Sequence, residues 1–156
     1  LDHAAWTVLS VIYPQADVPV VQLSMDASKP ISWHYELGRA LRPLREEGFL
    51  ILGSGNVVHT LAQMEWDINA RPHDWAQRFN DLVIDVVETN TPERLFNHQA
   101  LGRDAALSIP PPDLGHYWPL FYVLGARHPD DKLTMNPKHV QYKSLSMLSF
   151  VLDSAA

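Results

Sequence analysis

Histidine is the residue type whose placement in this sequence suggests chemistry, and His59 is the strongest candidate. It ends the segment Gly53-Ser54-Gly55-Asn56-Val57-Val58-His59, which follows the apolar run Phe49–Leu52 directly. Glycines let the backbone turn sharply and approach a ligand closely, and α/β proteins bind ligands at the carboxyl ends of their strands. The segment lacks the Lys and Ser/Thr of a phosphate loop. His59 is therefore predicted either to face a ligand crevice or to be a hydrogen-bonded histidine at a tight turn.

Two further histidines open apolar helical patterns. His3 lies between Asp2 and Trp6, and His116 precedes the apolar run 117–120. The alternatives are that His3 only begins a helix and that His116 is hydrogen-bonded within the fold. The five other histidines lie on polar faces or in polar loops and are predicted to be solvated: His34, His73, His98, His128 and His139. No HxxxH or HxH spacing occurs, so a metal site would have to gather ligands from across the fold.

The composition excludes several classes of protein. With 156 residues, 46% of them hydrophobic and 19% charged, the chain is predicted to form one globular domain. The net charge of -6 argues against a nucleic-acid partner. The absence of cysteine excludes disulfides, thiolate zinc sites and cysteine nucleophiles. No apolar stretch reaches the roughly 18 residues needed to span a bilayer, and we expect a cytoplasmic protein.

The order of apolar patterns predicts how these histidines are positioned. Helical spacing alternates with apolar, β-branched runs, which predicts an α/β layered domain with a largely parallel central sheet and flanking helices. The predicted helices begin at Asp2, at Ile31 (to Glu47, with a kink or early end at Pro43 and a stop at Gly48), near Trp75, at Thr91 and near His116; the predicted strands are Val18–Met25, Phe49–Leu52 and a strand-rich end from Val140 to Leu152.

Taken together, a set of motifs in a fixed order resembles a known family. The motifs are Leu1-Asp2-His3-Ala4-Ala5-Trp6, Pro19-Val20-Val21-Gln22-Leu23-Ser24, Trp33-His34-Tyr35-Glu36-Leu37-Gly38, Leu44-Arg45-Glu46-Glu47-Gly48, the Gly53–His59 segment, His116-Tyr117-Trp118-Pro119-Leu120 and Ser144-Leu145-Ser146-Met147-Leu148-Ser149. They resemble the 4,5-DOPA dioxygenase group within the class III (protocatechuate 4,5-dioxygenase B-subunit-like) extradiol ring-opening dioxygenases. The resemblance covers nearly the whole chain, and the segment ending at His59 is its most specific part.

The resemblance implies a non-haem metal enzyme that opens the ring of a catechol such as DOPA with O2. Fe(II) is the working metal of the wider family, and Zn(II) is common in its DOPA-type members. Two of the family's ligand histidines lie in His-Gly-Ser-Pro and Ala-His-Trp segments that do not occur in this sequence. Residues 1–156 are therefore expected to be the C-terminal part of a single catalytic domain, and we expect this part alone to be inactive. A homo-oligomer is an alternative to a monomer.

The same resemblance implies roles for individual residues. A metal ligand of the family corresponds to His116, and its active-site histidine corresponds to His59, which is either a second ligand or a general base. His3 corresponds to a second catalytic histidine that contacts substrate. The remaining expected contacts to substrate are Trp6, Asn56 and Tyr117, with Trp118 as a further pocket wall. The alternative function is a non-catalytic metal- or ligand-binding protein on the same scaffold.

Overall fold

The computed structural model describes residues 3–112 and 114–154. Five α-helices are found in these residues: α1 His3–Ile12, α2 Ile31–Leu41, α3 Asp74–Thr89, α4 Arg103–Ser108 and α5 Pro119–Gly125. Short 3-10 helices cover Arg42–Glu47, Leu61–Gln63, Pro92–Leu95 and His98–Leu101. Four strands follow them in the chain: β1 Lys132–Met135, β2 Val140–Gln141, β3 Leu145–Ser146 and β4 Phe150–Asp153. The predicted cap Asp2 lies outside the described residues.

Proline and glycine divide the predicted helix 31–47 into two parts. The α-helical geometry ends at Leu41, and Arg42–Glu47 continues as a 3-10 helix with Pro43 in its first turn. Proline has no N–H to donate to the preceding turn, so it favours this change. Gly48 then ends the segment with a φ of 87°, a conformation that glycine adopts without strain. The predicted boundary at Gly48 is confirmed.

The core lies between α2, α3 and α5. Helix α3 buries one face, which carries Ala76, Phe79, Asn80, Val83, Val86 and Val87. Helices α2 and α5 cross at unusually short distance because glycine lies at the crossing on both sides. A Cβ atom on Gly38 would lie 2.5 Å from the carbonyl oxygen of Tyr122, and one on Gly125 would lie 2.8 Å from the backbone nitrogen of Arg39. Any larger residue would push the two helices apart.

The strands form two small antiparallel sheets. Strands β1 and β4 pair in the register Lys132↔Asp153 to Met135↔Phe150, and β2 and β3 form a hairpin. Two of its three loop residues, Tyr142 and Lys143, have φ values of 50° and 66°, in the left-handed region. The strand-rich C-terminal end is confirmed. The largely parallel central sheet is not found among the described residues.

The two apolar runs predicted to be buried strands are largely exposed. Neither 18–25 nor 49–52 belongs to a strand, and Val21 and Leu50 are 89% and 63% exposed. A strand needs a hydrogen-bonded neighbour, and the β-branched pattern that predicted these strands does not show where that neighbour comes from.

In the described part of the chain, no helix is long and apolar enough to cross a membrane.

Candidate active site

The structure brings together two histidines that are far apart in the sequence. The rings of His59 and His116 stack with their centroids 3.9 Å apart and their planes 28° from parallel. His59 is half-buried and His116 is exposed. The pair therefore places a half-buried imidazole beside one that is accessible to a ligand.

The glycine-rich turn holds the backbone next to His116. The Asn56 amide N–H donates to the His116 carbonyl oxygen over 2.7 Å. Gly55 makes this approach possible, because a Cβ atom on it would collide with that same carbonyl and with the ring of Pro119. The predicted close approach of the Gly-Ser-Gly-Asn turn is therefore an approach to the segment that carries His116.

The backbone of His59 is fixed from two further directions. Its N–H donates to the Ser108 carbonyl over 2.7 Å, and it forms an isolated antiparallel bridge with Leu145. The next residue, Thr60, exchanges hydrogen bonds with Ser144: its N–H donates to the Ser144 carbonyl and its own carbonyl accepts from the Ser144 hydroxyl. Helix α4 and the β2–β3 hairpin therefore position His59, and no sequence motif indicated a role for Ser108.

Helix α1 reaches the same turn. The Ser54 hydroxyl donates to the carbonyl oxygen of Ala4 over 3.0 Å, which places the first turn of α1 beside the glycine-rich segment. His3 is exposed there, and its ring lies edge-on to Trp6 with 6.0 Å between centroids. Trp6 is itself 53% exposed. Both predicted substrate contacts are accessible at this edge of the site.

A groove of about 830 Å³ is lined by His116, by the glycine-rich turn and by mostly apolar side chains. Its apolar walls include Val8 and Ile12 from α1, Leu120 and Val123 from α5, Leu148 before β4 and Phe150 in β4. Leu50 and Leu52 line it as well, so the groove is part of the exposed apolar surface of the described residues.

Two of the predicted substrate contacts are placed differently. Tyr117 has no exposed surface; its ring packs edge-on against Phe121 and His98, and burial raises the pKa of its hydroxyl. The Asn56 side chain is engaged in holding the turn, since its amide donates to the Ser146 carbonyl and its oxygen accepts from the Val58 N–H. Trp118 is 9% exposed and stacks on His34 instead of lining the groove.

Two histidines predicted to be solvated are buried, and that prediction was wrong. His34 is fully buried, with Nδ1 2.9 Å from the hydroxyl of Tyr122, and His98 is 3% exposed. Burial lowers the pKa of both imidazoles. His34 lies at helical spacing from the buried residues Ile31 and Gly38. This spacing is the signal from which its burial was predictable.

The paired imidazoles fit part of a metal site. Neutral imidazole nitrogen is a good donor for Fe(II) and Zn(II), and two such rings lie side by side here. Within residues 3–112 and 114–154, however, no group of three His, Asp or Glu side chains is arranged to hold a metal. A metal bound by these two rings would need further ligands.

Comparison with known proteins gives a consistent family. The chain is 42% identical over 154 residues to a protein named 4,5-DOPA dioxygenase extradiol from Escherichia coli K12, with 95% of this chain and 55% of that protein covered. It is 33% identical over 138 residues to the protein of the same name from Beta vulgaris, covering 85% of this chain and 48% of that one. The chain thus spans about half the length of these curated relatives.

A solved structure supports the same conclusion. The crystal structure of an uncharacterised protein from Escherichia coli K12 is 41% identical, with a TM-score of 0.84, and the match covers 96% of this chain and 62% of that one. Residues 1–152 match the family described as the catalytic LigB subunit of aromatic ring-opening dioxygenase. The resemblance inferred from the motifs is confirmed, and the chain belongs to this family.

Proposed function

We propose that this chain is the C-terminal part of a single catalytic domain that opens a catechol ring with O2 at a non-haem Fe(II) or Zn(II) centre. The observation that carries the proposal is the stacked pair of His59 and His116, with ring centroids 3.9 Å apart, in a chain of this family. A dihydroxyphenyl compound such as DOPA suits the site, because its ring is apolar and its two hydroxyls need polar partners.

The exposed apolar surface supports the assignment to part of a larger domain. Val18–Met25, Phe49–Leu52 and helix α1 present apolar side chains to solvent, while the relatives are about twice as long as this chain. We place the remaining length of the family fold, together with further metal ligands, against this surface. Burial of these side chains would then supply stability that the described residues alone lack.

Each site residue has a role in this proposal. His116 would hold the metal. His59 either holds it as well or accepts a proton from a catechol hydroxyl, a role for which an imidazole nitrogen is suited. His3, on the exposed edge of α1, would hydrogen-bond the substrate, and Trp6 beside it offers an aromatic surface. When bound, the metal would supply a centre at which catechol and O2 meet.

The test uses a protein of the family's full length and measures metal content together with catechol-dependent O2 uptake. His116→Ala should lose the metal and the activity. His59→Gln should keep the metal and lose about 10²–10⁴-fold in turnover if His59 is a base, or lose the metal if it is a ligand. His139→Gln, an exposed histidine outside the pair, is the matched control and should leave both unchanged.

Two outcomes would contradict the proposal. Metal retention without O2 uptake by the unaltered protein would favour a non-catalytic binding protein on this scaffold. Robust turnover by residues 1–156 alone would show that the ligand set is complete in this chain and that the proposed division of the domain is wrong.

A further inference from the structure

A buried chain of polar side chains connects helix α3 to the site. Asn80 is fully buried on the apolar face of α3, and Ser146 is 5% exposed in β3. The Ser146 hydroxyl donates to the Asn80 side-chain oxygen over 2.6 Å and accepts from the Leu148 N–H over 3.0 Å. The Asn80 amide nitrogen donates in turn to the Lys138 carbonyl over 2.9 Å. Asn80 therefore fixes Ser146 from within the core.

Ser146 then fixes the turn that precedes His59. Its carbonyl accepts from the Asn56 side-chain amide over 3.0 Å, and its N–H donates to the Val58 carbonyl over 3.0 Å. The Asn56 oxygen accepts from the Val58 N–H, and the Asn56 backbone N–H donates to the His116 carbonyl. Asn56 is therefore hydrogen-bonded to Ser146, to Val58 just before His59 and to the backbone of His116, so it links the buried pair to both histidines.

An asparagine is a costly choice for this position of α3. Its buried neighbours on the same face are Phe79, Val83 and Val86, and an apolar residue there would avoid the desolvation of an amide. Directed hydrogen bonds fix the relative position of two segments more narrowly than apolar packing does, since they depend on angle as well as distance. The geometry that these bonds define is the placement of the turn beside His116.

We propose that Asn80 and Ser146 are positioning residues that set the alignment of His59 with His116. This inference rests on the proposed function for its effect on turnover, and on the structure alone for its effect on the histidine pair. Thr60 and Ser144 fasten the same segment independently. Loss of the Asn80–Ser146 bond should therefore shift the pair without unfolding the chain.

The experiment separates positioning from stability by removing one or both partners in a protein of the family's full length. Ser146→Ala leaves the Asn80 oxygen buried without its donor and should lower both stability and kcat. The double variant Asn80→Leu with Ser146→Ala also removes the Asn80 oxygen that Ser146→Ala leaves without its donor, although the Lys138 carbonyl and the Leu148 N–H still lose a partner. We expect it to regain part of the stability that Ser146→Ala loses, while kcat stays about 10–100-fold below that of the parent, the range expected for a displaced catalytic group.

Two further variants complete the set. Ser146→Thr retains the hydroxyl and should retain kcat. Val87→Ala removes buried apolar volume on the same helix and should lower stability while leaving kcat unchanged. If the double variant regains both stability and kcat, or if Val87→Ala lowers kcat as much as Ser146→Ala does, the two residues serve stability alone and the proposal is overturned.

A second readout does not depend on the reaction. Stacking should shift the ring proton resonances of His59 and His116 upfield, and ¹³C-edited NMR of residues 1–156 with labelled histidine would measure that shift. The double variant should lose it, whereas Val87→Ala should keep it. Unchanged resonances in the double variant would overturn the proposal. An unaltered full-length protein without catechol-dependent O2 uptake would contradict the proposed function only, because the resonances would still report the alignment.

Discussion

The interior around α2, α3 and α5 and the segments 18–25 and 49–52 are both rich in apolar residues, but the interior is buried and the two segments are largely exposed. Val83, Val86 and Val87 of α3 are fully buried, whereas Val21 and Leu50 in these segments are 89% and 63% exposed. In the interior, helix faces pack against each other, and glycines at the crossing let them approach closely. In the segments 18–25 and 49–52, the same residue types contact solvent. The apolar content of a segment thus indicates that it is suited to burial, whereas only the structure shows which residues cover it.

The largest expected effect concerns a buried ion pair, that of Asp131 with Arg45. The Asp131 side chain is fully buried and accepts two hydrogen bonds from Arg45, at 2.6 and 2.9 Å. Asp131→Ala should lower the free energy of unfolding by about 3 kcal/mol, because it leaves the Arg45 charge largely buried without its partner. The exposed pair of Arg39 and Glu36 is the matched control, and Glu36→Ala should cost less than about 1 kcal/mol. Urea unfolding measures both.

The same ion pair predicts a dependence on pH. Burial by itself would raise the pKa of Asp131, but the hydrogen bonds from Arg45 and from the His128 N–H outweigh it, and the pKa is lowered. Because the unfolded chain binds the proton more readily, the contribution of Asp131 is complete above the ordinary aspartate pKa of about 4 and is lost as the pH falls further. Equal acid sensitivity of the parent and Asp131→Ala would contradict this assignment.

The next effect tests the close crossing of α2 and α5. Gly125→Ala should cost about 2–3 kcal/mol, because its methyl group would meet the backbone of Tyr35 and Arg39. Gly48→Ala is the control: a methyl group at residue 48 meets nothing within 4 Å, so only the φ of 87° is penalised, at about 1 kcal/mol. If the two variants unfold at the same urea concentration, the crossing is looser than described.

A smaller effect follows from the buried histidine of the interior. Because burial lowers the pKa of His98, the folded chain holds this imidazole neutral while the unfolded chain takes up a proton below about pH 6.5. Stability should therefore decrease as the pH falls from about 6.5, by at most about 1.4 kcal/mol per pH unit for each such histidine. His98→Gln should reduce this slope in thermal unfolding between pH 7 and 5. An equal reduction by His139→Gln would assign the slope elsewhere.

The smallest expected effect is a substitution in the exposed segment 18–25. Val21→Ala should change the free energy of unfolding by less than about 0.5 kcal/mol in residues 1–156, since little apolar surface is buried there. Val83→Ala, the same change at a fully buried position, should cost about 2 kcal/mol. In a protein of the family's full length, the proposed covering of this surface should raise the cost of Val21→Ala. Equal effects in residues 1–156 would abolish the distinction between the two regions.

The predictions from sequence that were confirmed depend on local rules. Pro43 and Gly48 mark the change and the end of the second helix because each restricts its own backbone. The parallel sheet and the solvated His98 depended on neighbours distant in the chain, which residue patterns do not specify. At the candidate site, the motifs pointed to His59 and His116, whose rings the structure places in contact, and their roles stay predictions. Asn80 lies in a predicted helix and Ser146 in the predicted strand-rich end, while no element was predicted at Ser108. None of these patterns indicates a hydrogen bond to the site.

The manner in which His59 is held has a consequence for the order of folding. Its backbone contacts Ser108 and Leu145, and its ring contacts His116, so each partner is far away in the chain. Closing such long loops costs chain entropy before the favourable contacts can form. Helices such as α3 form instead from residues that are neighbours in the chain. We expect the histidine pair to be assembled late, after the helices around it. A newly made chain would then pass through a compact state that has its core before it has its site.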